Sequence, residues 1–318
     1  MNDLGTSEAR RQQYELALAH FHEAERWDAK MPGLMRNTGI AAFRLTKYSE
    51  AERALRQVVT ENSQDNAARS MLGFSLFMTE QYADAVQVFS PIGTLILDDP
   101  GIAYAWAASL IRVNNLRQAS AVLEELEKRQ LSPDTLLLIG QSWAQMSDNA
   151  HALSTFRRAL AQNQSLVNAH YYSGLALIHL DRPQEAAKEF EAELALDPRH
   201  SEAQYHLAFA LLQQSRTAQA KAILNDVVAA HPNHAEAQYQ LGKVLLDEGK
   251  TSDALVHLET AARLSPQKDY VHYQLQAAYR KQSRLADADR ELKIYRDIKA
   301  HNRDRGTQPS SSPEVVQR

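Results

Sequence analysis

The chain has 318 residues, 44% of them hydrophobic and 23% charged, with a formal net charge of −4 and a pI near 6.3. That balance gives no global pull toward nucleic acid or an anionic membrane surface, and no apolar run of about 18 residues exists to span a bilayer. The absence of cysteine excludes disulfides, thiolate nucleophiles and zinc sites built on Cys.

A length of 318 residues exceeds a typical single core, so two domains or an elongated repeat is expected. One alanine recurs at Ala17, Ala51, Ala85, Ala119, Ala152, Ala186, Ala220, Ala254 and Ala288, in steps of 34 with a single step of 33. Twelve residues before it stands Gly5, Gly39, Gly73, Ala107, Gly140, Gly174, Ala208 or Gly242, with Gln276 as the exception. Four residues after it comes Phe21, Leu55, Phe89, Leu123, Phe156, Phe190, Leu224, Leu258 or Leu292.

Within each period the apolar residues follow helical spacing twice, as in Leu207, Ala208 and Leu211 and then Ala220, Ile223, Leu224 and Val227. The short polar link Gln214-Ser215-Arg216-Thr217 folds the second helix back on the first. Small residues allow a close crossing, and the large residue is expected to fill space against the next unit. Asp197-Pro198, His231-Pro232 and Ser265-Pro266 end the second helices, because a residue before proline leaves helical geometry. One such pair cannot bury its apolar stripe alone, so the units must stack.

In chain order, residues 1–31 fit the last nine-tenths of a unit, with Leu4-Gly5, Tyr14, Ala17, Phe21 and Ala24 in phase. Either the natural N-terminus lies upstream, which leaves room for a leader, or a short helix caps the array. The fragment opens with an acid and no apolar stretch follows, so a signal peptide is not expected within it. Eight full units begin near 32, 66, 100, 133, 167, 201, 235 and 269. Pro91 falls inside the second helix of the unit from 66, so a kink or irregular stretch is expected over 90–99. Residues 280–305 carry nine Lys or Arg against five acids, read as the polar outer face of a terminal repeat. Residues 301–318, with Gly306-Thr307-Gln308-Pro309 and Ser310-Ser311-Ser312-Pro313, are expected to be a disordered tail.

The pattern of Leu241-Gly242, Leu245, Ala254, Leu258, Ala261 and Pro266 resembles the tetratricopeptide repeat, across residues 1 to about 300. The resemblance implies an all-α, right-handed superhelical solenoid of antiparallel helix pairs, whose first helices line a concave groove. Carried over by register, the groove residues are Ile40, Phe74, Phe77, Tyr104, Ile111, Tyr171, Leu175, Tyr205, Phe209, Tyr239 and Lys243, with Phe43, Ile178 and Met78 beside them. The groove side of units 32–132 is apolar and becomes mixed toward Lys243, Asp247, Arg280 and Lys281, which suits a peptide anchored by hydrophobic side chains. Against this, Phe43, Phe77 and Leu212 are also placed to pack on the neighbouring helix, and the tyrosines at 171, 205, 239 and 273 fit the repeat's own pattern.

Two family functions lack their residues. Ser70 and Phe74 stand where a carboxylate clamp needs Lys and Asn, and Asn37 is the only asparagine at the ladder positions continued by Met71, Ala105, Leu138, Tyr172, His206, Gln240 and Gln274. No phosphate loop, H-E-x-x-H or G-x-S-x-G occurs. His231 and His234 are spaced like metal ligands but sit in a loop around Pro232, with His200 in the equivalent loop one unit earlier. The expectation is therefore a non-enzymatic scaffold or adaptor for protein partners, without cofactor, metal or nucleic acid. The alternatives are an envelope or complex-assembly factor, or the regulatory region of a larger protein. The compartment is expected to be cytoplasmic, or periplasmic or secreted if a leader lies upstream.

Overall fold

The computed structural model describes residues 1–304, which are helical with short links and contain no strand. The chain divides into two compact units, Met1–Ala159 and Leu160–Arg318. The first holds α1 (Asn2–Arg10), α2 (Tyr14–Trp27), α3 (Leu34–Arg44), α4 (Tyr48–Glu61), α5 (Asn66–Met78), α6 (Tyr82–Phe89), α7 (Gly93–Ile96), α8 (Pro100–Arg112), α9 (Leu116–Glu127) and α10 (Pro133–Gln145). The division falls in α11 (Asn149–Gln162). The second holds α12 (Ala169–His179), α13 (Pro183–Leu196), α14 (Ser201–Gln213), α15 (Thr217–Ala230), α16 (Ala235–Asp247), α17 (Thr251–Leu264), α18 (Asp269–Lys281) and α19 (Leu285–Asp304).

Each first helix ends in the same way. Gln12, Thr46, Glu80, Asn114, Ser147, Asp181, Ser215, Gly249 and Ser283 all take positive φ, between 56° and 76°. The following amide reaches back five residues, as Lys47 N–H to Ala42 O, Arg182 N–H to Leu177 O and Lys250 N–H to Leu245 O, each at 2.9 Å. This is the Schellman closure, in which a left-handed residue lets the terminal carbonyls find donors. Only Gly249 meets that demand without a side chain, so the other eight turns hold local strain.

The reversed chain then packs its second helix on the first. A Cβ added at Gly39 would lie 2.7 Å from Leu55, at Gly73 2.5 Å from Phe89, at Gly140 2.3 Å from Phe156 and at Gly174 2.6 Å from Phe190. The large residue therefore lies on the glycine of its own unit. This corrects the expectation that it fills space against the next unit: the ring needs a flat backbone patch, and the facing glycine supplies one. Phe21, Phe89, Phe156 and Phe190 are wholly buried there.

A second tie joins the helices of a pair 19 residues apart. His170 Nδ1 meets Glu189 at 2.7 Å, His257 Nδ1 meets Gln238 Oε1 at 2.7 Å, and His272 Nδ1 meets Glu291 at 2.6 Å. In the middle pair the imidazole and its partner have exchanged helices.

Pro91 interrupts its unit as expected. α6 stops at Phe89, Ser90–Ile92 form a 3₁₀ turn, and the short α7 precedes Pro100. Without an N–H and with a ring against the preceding turn, proline cannot continue the helix. The diversion lays Gly93 on the Trp106 ring, where a Cβ would come within 2.3 Å. At the other end, α19 runs to Asp304, four residues into the segment expected to be disordered. Its charged residues keep helical register that far, and the rest of the expected tail lies outside the described residues.

Replacing Gly174 by Ala should gain up to about 1 kcal/mol of helix propensity. It should lose about 1–3 kcal/mol to overpacking against the enclosed Phe190 ring, so a lower urea midpoint is expected. Thr46→Gly should raise the midpoint, by about 1 kcal/mol, because it relieves a β-branched residue held at positive φ.

For His272, burial opposes the charged ring, but the Glu291 hydrogen bond, the Pro266 carbonyl and the charges of Glu291 and Asp269 outweigh it, and its pKa is raised above 6.5. The stabilisation is thus complete below the unfolded-state value and is lost as pH rises through the folded value. The stability gap between wild type and His272→Gln should be widest near about pH 6 and shrink by about pH 9. Chemical unfolding across that range reads it directly.

Candidate functional site

In the first unit α3, α5 and α8 lie side by side. Their shared face carries Ile40, Phe74, Phe77 and Tyr104, all half-buried, and Met78, which is 44% exposed. The aromatic rings form a continuous chain. Phe43 meets Tyr48 at 5.9 Å and Phe74 at 5.6 Å, Phe74 meets Phe77 at 6.1 Å, and Phe77 meets Tyr82 at 6.1 Å. Phe43 thus does both things open to it: it packs on the neighbouring helix and keeps part of its ring in solvent. Arg112 closes the row, its guanidinium 4.7 Å above the Tyr82 ring. Ile111, by contrast, is buried, which corrects its assignment to the groove surface.

Tyr48 and Tyr82 were not singled out in the sequence. Their signal was present, since Tyr14, Tyr48 and Tyr82 recur at steps of 34 at the first position of the second helix. Edge-to-face contacts hold such rings in place while leaving faces available.

In the second unit the assigned residues separate. Tyr171, Leu175 and Lys243 are half-buried, whereas Tyr205, Phe209 and Tyr239 are buried, as is Ile178. These buried residues form packing rather than open surface: Tyr205 is enclosed by His206 and His234, at ring distances of 4.8 and 5.0 Å, and Tyr239 by Tyr270 at 4.8 Å.

The polar groups around them are unevenly satisfied. Glu193, also buried, accepts the Asn168 and Tyr171 amides. His200 and His234 cap α14 and α16, each Nδ1 accepting an amide, Ala203 N–H and Ala237 N–H at 3.2 Å. Each ring therefore carries its proton on Nε2 when neutral. His234 is in this way a helix cap, and among the described residues no three metal-binding side chains converge. Burial, with the imidazoles of His234, His179 and His200 nearby, depresses His206 to about 4. Burial raises the Tyr171 phenol to about 12. Burial and then the Glu236 charge push Tyr205 well above the usual phenol range.

No helix among the described residues is long and apolar enough to cross a membrane. No curated protein is detectably similar in sequence. Residues 137–201 and 177–243 match models of the tetratricopeptide repeat, and residues 44–126 match the model of anaphase-promoting complex, cyclosome, subunit 3. Among solved structures, a tetratricopeptide repeat protein from Parabacteroides merdae superposes with a TM-score of 0.54 at 15% identity, over 77% of this chain and 97% of that one. The APC/C hetero-tetramer Cut9–Hcn1 gives 0.52 at 15% identity, over 83% of this chain and 52% of that one. MamA from Desulfovibrio magneticus gives 0.48 at 22% identity, over 53% of this chain and 96% of that one. With the 34-residue period, the glycine-seated helix crossings and the two repeat models in agreement, the chain is a tetratricopeptide repeat protein.

Proposed function

We propose that the chain is a protein-interaction scaffold whose first unit binds an extended peptide segment through apolar side chains. The observation that carries this reading is the unbroken row Tyr48, Phe43, Phe74, Phe77 and Tyr82, half-buried across successive helix pairs. Aromatic rings already ordered by their neighbours offer contact area at little further entropic cost. Ile40 and Met78 add apolar side chains on the same helices, and the exposed Arg112 lies over the Tyr82 ring at one end of the row. A peptide with aromatic or long aliphatic anchors and an acidic flank fits that arrangement. The reading involves no cofactor and no catalytic step. Ile111, Tyr205, Phe209 and Tyr239, once assigned to the groove, take no direct part in it.

Selection from a displayed random-peptide library, followed by affinity measurement on the recovered sequences, tests the reading. Recovered peptides should share aromatic or long aliphatic anchors. Phe74→Asp should weaken them by at least about tenfold, as expected for a central aromatic contact, while circular dichroism shows the helices intact. Phe209 is unsuitable for this purpose, since a charge at a buried position would unfold its unit. Peptides lacking apolar anchors, or an affinity indifferent to Phe74→Asp, would reject the groove.

A further inference from the structure

Two pairings of a guanidinium with a tyrosine ring in this chain are built differently. Arg284 lies 4.3 Å above the Tyr279 ring, and its nitrogens meet Asp287 at 2.8 Å and Glu259 at 3.8 Å. Glu259 in turn accepts the Tyr279 hydroxyl at 2.7 Å. Ring, cation and carboxylate all come from the chain itself. Arg112 lies 4.7 Å above the Tyr82 ring, and among the described residues no hydrogen bond or ion pair engages its nitrogens. Of the acids next to Tyr82 in the chain, Asp84 faces Arg56 at 3.3 Å, and Glu80 is exposed at the turn without an ion pair among the described residues. This second pairing therefore has a ring and a cation but no carboxylate supplied by the chain.

Arg112 is exposed, and its neighbours are apolar. It ends α8, and the chain that follows carries Val113 and Leu116, each 38% exposed. Leu116 opens α9 at the register position that Tyr48 and Tyr82 hold on α4 and α6. By register, the cation thus interrupts an apolar strip. A segment lying on that strip also withdraws the guanidinium from water. Withdrawal strengthens a pairing with a carboxylate and penalises a segment that brings none. A guanidinium offers five donors in a planar fork that matches a carboxylate, so the geometry asks for that group in particular.

We propose that Arg112 is the specificity-determining residue of the aromatic row, pairing with an aspartate or glutamate side chain of the bound segment. This rests on the peptide-groove reading and adds to it which end of the row takes the acid and how far the acid lies from the anchor. The guanidinium is 4.7 Å from the Tyr82 centroid, and that ring is 6.1 Å from Phe77, so the cation lies within about 11 Å of the Phe77 ring. Extended chain advances about 3.3 Å per residue, which places the acid within about four residues of a side chain resting on Phe77.

The test pans one random decapeptide library against the wild type, Arg112→Gln and Phe74→Asp. The peptides are displayed as N-terminal fusions, so none has a free C-terminal carboxylate. The wild type should enrich Asp or Glu at a fixed offset, up to about four residues from the aromatic anchor. Arg112→Gln, an exposed change whose fold circular dichroism checks, should keep the anchors and lose the acid. The most enriched sequence is then synthesised with an amidated end and with its acid replaced by the matching amide. That replacement should weaken binding at least about tenfold to the wild type and less than about twofold to Arg112→Gln. Arg112→Lys should recover only part of the difference, because an ammonium lacks the fork. Anchors without acid enrichment, or acid enrichment that survives in Arg112→Gln, overturn the proposal and leave the groove reading standing. Peptides without anchors, or peptides indifferent to Phe74→Asp, overturn both.

Discussion

In six of the helix pairs the crossing rests on a glycine lying beneath one large side chain, and much of the architecture follows from that contact. Where the small residue is glycine, the ring or isobutyl group sits where a Cβ would otherwise stand, so the helices approach closely and the large residue is wholly enclosed. Close approach fixes the pair as one rigid element. The left-handed turn residue then becomes unavoidable, because the chain must reverse at once for the second helix to arrive in register. Eight non-glycine residues accept positive φ at that turn. That pattern indicates that the packing overrides the local preference each time.

Interruption of this plan at Pro91 shows how a repeat absorbs a local fault. The second helix ends early, a 3₁₀ turn and a short helix take the remaining residues, and Gly93 and Trp106 re-create a small-against-large contact of the kind used elsewhere. The stack therefore continues into α8 although the helix has been broken. Repeats tolerate such changes because each unit answers mainly to its neighbours.

The two units share one pattern but expose different chemistry on the first helices. In the first, aromatic rings touch edge to face along successive pairs and remain half-open. In the second, Tyr205 and Tyr239, at the fifth position of their repeats, are drawn inward against His206, His234 and Tyr270. Tyr171 is half-buried, Tyr205 and Tyr239 are buried, and Tyr273 is exposed, although all four stand at one position of the repeat. Register therefore assigns a side chain to a helix face but not to solvent. What decides is the bulk of the side chains that adjacent helices bring against that face, such as His234 against Tyr205 and Tyr270 against Tyr239.

The amino-acid sequence by itself determined the period, the helix pairs, their polar turns and the break at Pro91, because these depend on spacing and on backbone chemistry local to a few residues. It also marked the first helices as the carriers of the candidate surface, including Ile40, Phe74, Phe77 and Tyr104. Tertiary structure alone decided that the large residue, where its unit has the glycine, seats on the glycine of that same unit, since a 34-residue period cannot distinguish a unit from its neighbour. It alone decided which aromatic positions stay open, and that Glu202, His234, Glu236 and Gln240 gather around Tyr205. Those residues come from different helix pairs, and their meeting is set by how the pairs stack rather than by any spacing along the chain.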